Sequence, residues 1–240
     1  MTIDLFFSAG HTEIGGLRVF LQHALEAAFP AVPVALRRRF PAIVKPGAKV
    51  ATAAPVDGKE GQAGASGRQL EDEMIRVITR YGCDADLVLF VDDADCRWCA
   101  QKPARDTWRA SLTRRVQRAA GHPVPFVPLM ASPEVEAWFL ADFEHGFAAL
   151  KGKPRRGQPI PTSATIQDIQ AAIQSVIDRR APTETELFGC PAIENACQRK
   201  LSAELQRALL VPHGISYSKR LDGARMLRDL SAGPLNRHLK

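Results

Sequence analysis

The sequence predicts an α/β fold, in which helices cover both faces of a parallel sheet and a helical C-terminal extension follows. Short apolar segments alternate with segments of helical periodicity through the first 150 residues. The most apolar segments are continuous runs, which are typical of strands buried on both faces. Beyond residue 160 only helical patterns occur. We therefore predict a doubly wound α/β domain over residues 1–150 and a helical extension, packed on it, over residues 151–240.

The first half of the predicted domain contains two strands and one helix before a long insertion. Residues 3–7 are apolar and end at a Ser-Ala-Gly turn, which indicates a strand. Residues 12–29 have helical spacing, and Pro30 ends that run. Residues 32–40 predict a second strand, and we interpret its three arginines, residues 37–39, as a solvated edge. Residues 46–67 are rich in Gly and Ala without periodicity, which predicts a mobile insertion.

The second half contains the strongest strand signal of the chain. Residues 69–81 predict a helix, and residues 86–91 form a continuous apolar run. A basic helix over residues 104–119 and a strand over residues 123–130 follow. Ser132, Pro133 and Glu134 suit the cap, first position and first turn of a helix. Further helices are predicted over residues 162–179, 191–210 and 221–231.

The composition is that of an ordinary globular protein, with 45% hydrophobic and 24% charged residues in 240. A chain of this length buries a sizeable core without disulfides. The five cysteines are an odd set, so we expect reduced thiols in a cytoplasmic protein. No basic leader precedes an apolar stretch, and no run approaches a membrane span, so we expect neither secretion nor membrane insertion. A homo-oligomer is left open.

The positive charge is concentrated in the later part of the chain. The net charge is +6, and residues 101–240 hold 21 Lys and Arg against 13 Asp and Glu, whereas residues 1–100 hold 11 against 13. Basic side chains collect phosphates, which suits a nucleic-acid partner. Arg109 and Arg114 of the basic helix are candidate contacts to a nucleic-acid backbone. Because the basic residues spread around that helix, a solvated face is the alternative.

Three aspartates follow the strongest strand, at the sheet edge where open α/β folds collect ligands. Side chains two apart in an extended segment point the same way, so Asp93 and Asp95 are predicted to converge on one cation. Asp92 then faces elsewhere or caps the turn. Mg²⁺ or Mn²⁺ suits carboxylate oxygens and supplies the counter-charge that close carboxylates need. The alternative is a solvated, turn-forming loop without metal.

Acidic residues in two further segments are candidates for the same site. Glu13 begins the first helix, so it meets Asp93 if the first and third strands are neighbours. Glu134 and Glu136 project from different sides of their predicted helix, so at most one faces the metal, and we prefer Glu136. For all three the alternative is a favourable charge near a helix N-terminus or on the surface.

Several motifs together resemble the TOPRIM-like families of bacterial defence systems, related to the nuclease domain of the OLD (overcoming lysogenisation defect) proteins. The matching stretches are residues 8–13 (SAGHTE), 93–95 (DAD), 133–142 (PEVEAWFLAD) and 219–223 (KRLDG). The Asp-x-Asp pattern alone is unspecific, whereas the Glu-Ala-Trp segment is more distinctive. One position departs from the family pattern: Ala9 stands where the family has its first glutamate, so Glu13, His11 or Glu136 would have to take that role.

The resemblance implies metal-assisted phosphodiester hydrolysis. Glu13, Asp93 and Asp95 would bind one or two Mg²⁺ or Mn²⁺ ions, and Lys219 or Arg220 would stabilise transition-state charge. The resemblance also implies an ATPase partner in defence against phage. Two alternatives stay open: an inactive nucleic-acid-binding or regulatory subunit, which Ala9 favours, and a small-molecule phosphohydrolase.

The cysteine spacing gives a weaker signal. Cys96 and Cys99 have the two-residue separation of a zinc or redox pair, and a closed zinc site needs four ligands. Cys190 and Cys197 lie far along the chain, so we expect free thiols.

Overall fold

The computed structural model describes residues 1–8, 11–40, 67–94, 102–131, 134–150, 166–180, 201–213 and 217–231. Residues 46–66 of the predicted insertion lie outside these ranges. So do the following residues named above: Ala9, Asp95, Cys96, Cys99, Ser132, Pro133, Cys190 and Cys197. The elements, in chain order, are β1 (Thr2–Phe7), α1 (His11–Ala28), β2 (Ala35–Phe40), α2 (Gly67–Tyr81), β3 (Leu87–Asp93), α3 (Lys102–Ala120), β4 (Phe126–Ala131), α4 (Glu136–Ala141), a 3₁₀ turn (Phe147–Leu150), α5 (Ile166–Arg180), α6 (Leu201–His213), a π-helical turn (Lys219–Gly223) and α7 (Ala224–Asp229).

The four described strands form one all-parallel sheet in the order β2-β1-β3-β4. β1 and β3 are direct neighbours, with Ile3 opposite Leu87 and Phe7 opposite Val91. The α/β class and the parallel sheet predicted from the sequence are therefore confirmed. Strand order reverses between β1 and β3, and in open sheets ligands bind in the crevice at that reversal, beyond the carboxyl ends of the strands.

Helices cover both faces of the sheet, and the side chains of β1 accordingly alternate between two hydrophobic cores. Ile3, Leu5 and Phe7 belong to a core with α1, whereas Phe6 belongs to a core with α2 and α3. Burying one such Leu or Phe side chain stabilises the fold by about 1.5–3 kcal/mol. The sheet is thus the middle layer of the described structure.

The described C-terminal helices share the core on the α1 face. Ile169 of α5, Leu205 of α6 and Leu227 of α7 are buried together with β1 side chains. α7 packs closely on α1, where Gly15 and Gly16 leave no room for a Cβ atom against Ala224. This close approach brings the preceding π-helical turn to the start of α1.

Two helix starts differ from the sequence-based expectation. α4 begins at Glu136 instead of at the Ser132-Pro133-Glu134 cap, and the backbone carbonyl of Glu134 accepts a turn-type bond from Ala137 N, at 2.9 Å. The final helical region, predicted as one helix, begins as a π-helical turn before α7. Ser218 caps that turn, since its hydroxyl oxygen accepts a bond from Leu221 N.

β2 lies at the edge of the described sheet, as its three arginines predict, but Arg37 is an ion-pair partner within the protein instead of a simply solvated side chain. Its Nε donates to Asp4 Oδ1 at 2.8 Å, and Asp4 is fully buried in β1. The guanidinium also pairs with exposed Asp84, at 2.6 Å. A buried carboxylate needs such a partner, so Arg37 contributes to the joining of β1 and β2.

Within the described residues, no helix is both long enough and apolar enough to cross a membrane.

Candidate functional site

Glu13 and Asp93 lie at the crevice between β1 and β3. Glu13 is in the first turn of α1, just after β1, and Asp93 is the last residue of β3. Glu13, Asp93 and Glu136 interact electrostatically, each of the other two raising the pKa of Asp93. The fold thus brings together acidic groups from three separate stretches of chain.

Asp93 is held by one backbone and one side-chain contact. Its Oδ1 accepts a hydrogen bond from Val135 N at 2.8 Å, and its Oδ2 lies 3.7 Å from Lys219 Nζ. Burial raises the pKa of Asp93 well above its usual range, the charge of Lys219 opposes this, and Glu13 raises it further. The carboxyl group is therefore fixed in direction while its charged form is penalised.

Glu136 is fully buried at the start of α4 and has two partners from the C-terminal region. The hydroxyl of Tyr217 donates to Oε1 at 2.7 Å, and Lys219 Nζ lies 3.5 Å from Oε2. Tyr217 is itself 1% exposed, and burial raises the pKa of its hydroxyl, with the Glu136 charge adding to the effect. Tyr217 therefore stays a hydrogen-bond donor at neutral pH.

Glu13 is the least satisfied acid of the group. Only 4% of it is exposed, and its Oε2 has no hydrogen-bond partner among the described residues. Burial raises its pKa, Lys219 and a backbone N–H lower it, and Glu136 and Glu134 raise it again. An unmade hydrogen bond on a buried carboxyl oxygen is costly, so this atom is the natural position for a bound cation or donor.

Lys219 is the ammonium that faces these acids. Burial lowers the pKa of Lys219, but the negative charges of Glu136, Asp93 and Glu13 outweigh that effect and hold it above its usual value. Lys219 therefore remains charged at neutral pH and supplies a counter-charge that sequence reasoning assigned to a metal. Its backbone carbonyl accepts a bond from the Thr12 hydroxyl at 3.0 Å.

Two more buried acids near the group hold the starts of helices. Oε2 of Glu134 accepts a bond from Ser202 N at 3.2 Å, in the first turn of α6. Oδ2 of Asp92 accepts a bond from Gly67 N at 2.6 Å, at the start of α2. Asp92 therefore caps a neighbouring helix instead of its own turn. The expectation that at most one of Glu134 and Glu136 faces the site assumed that both residues lie in one helix. Glu134 instead precedes α4, and the charges of both residues raise the pKa of Lys219.

The remaining candidates divide into exposed residues and residues whose side chains are not described. Arg109 and Arg114 are exposed on α3. The backbones of His11, in α1, and Arg220, in the π-helical turn, are described, but their side chains are not. Asp95 lies entirely outside the described residues.

Sequence reasoning missed Tyr217 and Thr12. The available signal for Tyr217 was its place two residues before Lys219, although that spacing alone does not identify a partner for Glu136.

The carboxyl oxygens of the site are chemically suited to bind a hard divalent cation. Carboxyl oxygens are the ligands that Mg²⁺ and Mn²⁺ prefer, and the unpartnered Glu13 Oε2 is available to one. Within the described ranges, no three acidic, His or Cys side chains form a group that could hold a metal ion by themselves. A cation bound here would therefore complete its coordination with water or phosphate oxygens, as Mg²⁺ commonly does.

Comparisons of the chain with protein-family models, with curated proteins and with solved structures found no significant match.

Proposed function

We propose that this chain is a metal-dependent nuclease of a TOPRIM-like type, which hydrolyses phosphodiester bonds. The observation that carries the proposal is the convergence of Glu13, Asp93, Glu136 and Lys219 at the carboxyl ends of neighbouring parallel strands. Burial raises the pKa values of Glu13 and Asp93 at this crevice, and perturbed pKa values in a crevice are the pattern of functional sites.

Each group has a role in this proposal. Glu13 and Asp93, together with Asp95, hold Mg²⁺ or Mn²⁺, which when bound polarises the phosphate and activates water. Lys219 stays protonated, so it donates hydrogen bonds to phosphate oxygens as negative charge develops. Glu136 orients the Lys219 ammonium, and Tyr217 holds Glu136 in place.

The resemblance to TOPRIM-like defence proteins supports the biological part of the proposal. It suggests that the protein acts in the cytoplasm with an ATPase partner in antiphage defence, on DNA or RNA. The domain of residues 1–150 would carry the site, and the helical extension of residues 151–240 would supply Lys219 and Arg220. The basic later part of the chain suits a nucleic-acid partner.

A second candidate function is an inactive nucleic-acid-binding or regulatory subunit of the same kind. Two observations favour it: Ala9 replaces the glutamate of the family pattern, and Lys219 already neutralises part of the charge of Asp93 and Glu136. A protein of this kind would bind nucleic acid without cutting it.

The test is cleavage of labelled DNA, RNA and tRNA with Mg²⁺, Mn²⁺ or chelator. Asp93→Asn is compared with Asp84→Asn, because Asp84 is an exposed aspartate paired with Arg37 rather than with the site. We expect metal-dependent cleavage that Asp93→Asn reduces by about a hundredfold or more, since changes even behind metal ligands cost 10–100-fold. Asp84→Asn should retain wild-type cleavage.

Other results would redirect the proposal. Salt-sensitive binding without cleavage supports the inactive subunit. Turnover confined to mononucleotides or other small phosphate esters supports a phosphohydrolase and contradicts the nuclease.

A further inference from the structure

The Lys219 ammonium faces one oxygen of each of two carboxyl groups, those of Asp93 and Glu136. Its Nζ lies 3.7 Å from Asp93 Oδ2 and 3.5 Å from Glu136 Oε2. The second oxygen of each group is already bonded, to Val135 N and to the Tyr217 hydroxyl respectively. Glu136 is therefore committed to two donors from the protein itself.

Among Glu13, Asp93 and Glu136, the oxygens that remain for a cation are on Glu13 and Asp93. Glu13 Oε2 is buried without a partner among the described residues, and Asp93 Oδ2 is shared only loosely, at 3.7 Å. The Asp93 side chain is also 20% exposed, whereas the Glu136 side chain is fully buried, so Asp93 Oδ2 is the oxygen that a cation from solvent can reach. Mg²⁺ needs only one or two carboxylates when water and phosphate complete its shell.

The position of Lys219 is determined by its backbone. The Thr12 hydroxyl holds its carbonyl, and Ser218 N donates to Asp222 Oδ2 at 2.8 Å at the start of the same turn. Gly223 lies so close to Thr12 that a Cβ atom there would overlap it. These contacts hold the backbone of Lys219 against α1, the helix that carries Glu13.

We propose that the site takes a single divalent cation, held among the described residues by Glu13 and Asp93, and that the Lys219 ammonium beside Glu136 serves as the second positive charge of the site. This inference rests on the proposed metal-dependent function and makes it a one-metal site. The ammonium already pairs with Glu136 on one side and Asp93 on the other, so one divalent ion at Glu13 and Asp93 would lie beside it without taking its place. A second ion would have to displace the ammonium from Glu136.

The test is the stoichiometry of Mn²⁺ bound to the full chain, measured by electron paramagnetic resonance of free Mn²⁺ without nucleic acid. Lys219→Met removes the charge, Lys219→Arg retains it, and Asp93→Asn removes a ligand. Glu26→Gln, an exposed position on the same helix as Glu13, is the matched control. Circular dichroism establishes that each variant is folded.

We expect one Mn²⁺ per chain in the wild type, in Lys219→Arg and in Glu26→Gln, two in Lys219→Met, and none in Asp93→Asn. Removing the nearby positive charge should also tighten the first Mn²⁺ by about tenfold, because like charges repel strongly in a partly buried site.

Three results would overturn the inference. Two ions in the wild type, both lost in Asp93→Asn, refute the one-metal site and leave the metal-dependent function intact. A single ion in folded Lys219→Met shows that Lys219 does not take the place of a cation. No Mn²⁺ in the wild type, or an ion retained by Asp93→Asn, contradicts the proposed function as well. If Lys219→Met does not fold, the wild-type and Lys219→Arg stoichiometries decide.

Discussion

Glu13 is a single residue of the site whose burial lowers the stability of the folded protein. It is buried, one of its oxygens has no described partner, and burial raises its pKa. A group whose pKa is raised by folding binds its proton more tightly in the native state. The free energy of unfolding therefore falls as pH rises from the unfolded to the folded pKa of Glu13, and the penalty persists at neutral pH.

Replacing Glu13 by glutamine should stabilise the protein at neutral and higher pH. We expect Glu13→Gln to raise the free energy of unfolding at pH 8 by about 1 kcal/mol, as changes that relieve strained active sites do. Near pH 4 the gain should shrink, because the carboxyl group is then largely protonated in both states. Urea unfolding at the two pH values measures this difference.

The control for this prediction is Glu26→Gln, since Glu26 is exposed on the same helix and bonded only to Gln22 in the described contacts. It should change stability little at either pH. A stability gain of Glu13→Gln that is equal at both pH values would show that burial of the charge is not its cause.

Tyr217 is the second residue whose contact has a measurable consequence. Its hydroxyl donates to the buried carboxyl group of Glu136, and a bond to a charged acceptor is stronger than a neutral one. We expect Tyr217→Phe to lower the free energy of unfolding by about 2 kcal/mol, measured by urea denaturation at neutral pH. A loss of less than about 0.5 kcal/mol would argue against a specific role for the Tyr217 hydroxyl.

The close packing of α1 on α7 is the element-scale feature that positions the site. A Cβ atom on Gly15 would lie 2.6 Å from the Cβ of Ala224, closer than real contacts allow. The π-helical turn that carries Lys219 directly precedes α7. The separation of these two helices therefore determines where the ammonium lies.

Gly15→Ala should destabilise the protein although alanine is the better helix former. Alanine gains about 1 kcal/mol in helix propensity, whereas overpacking at a tight contact costs about 1–3 kcal/mol. Adding Ala224→Gly removes the opposing methyl group, so the double variant should recover most of the loss beyond the intrinsic cost of glycine in α7. A double-mutant cycle from urea denaturation measures the coupling. Additive effects would show that these two positions do not meet.

The starts of α2 and α6 also depend on acids near the site. Asp92 accepts from Gly67 N and Glu134 accepts from Ser202 N. Carboxyl groups stabilise helix N-termini, because the first backbone N–H groups have no partner within the helix. Asp92 and Glu134 therefore have a structural role at helix starts, whereas Glu13 and Asp93 are the proposed metal ligands.

At the scale of the whole molecule, the exposed arginines of α3 form part of the positive surplus of the later chain. Arg105, Arg109, Arg114 and Arg118 are exposed, whereas Arg115 pairs with Glu71 and Asp72 of α2. Exposed cations contribute to nucleic-acid binding through phosphate contacts and release of counterions. Arg115, which is engaged within the protein, is the least suited to such contacts.

If the protein binds nucleic acid through α3, removing two of its exposed charges should weaken binding in a salt-dependent way. We expect Arg109→Ala with Arg114→Ala to lower the slope of log affinity against log salt by about two, one for each phosphate contact. Fluorescence anisotropy with labelled single-stranded and duplex DNA from 50 to 200 mM salt measures the slope. Arg76→Ala with Arg80→Ala removes the same charge from α2 and should leave the slope unchanged. Equal losses would mean that only net charge matters.

The sequence alone determined the elements and their approximate bounds. The apolar run of β3 and the helical spacing of α1, ended by Pro30, depend on local periodicity and backbone preference, which a single segment carries by itself. The positions of Glu13 at the start of α1 and of Asp93 at the end of β3 followed from the same patterns. The start of α4 was wrong by two or three residues, because cap-forming residue types do not show which backbone conformation is adopted.

Only the tertiary structure decided which side chains meet. The pairing of β1 with β3 brings Glu13 to Asp93, and the packing of α7 on α1 places Tyr217 and Lys219 against Glu136. Local patterns do not encode these contacts, because they depend on strand order, helix separation and loss of water around each charge. Lys219 remains the charged partner of the buried acids because their negative charges outweigh the effect of its own burial on its pKa.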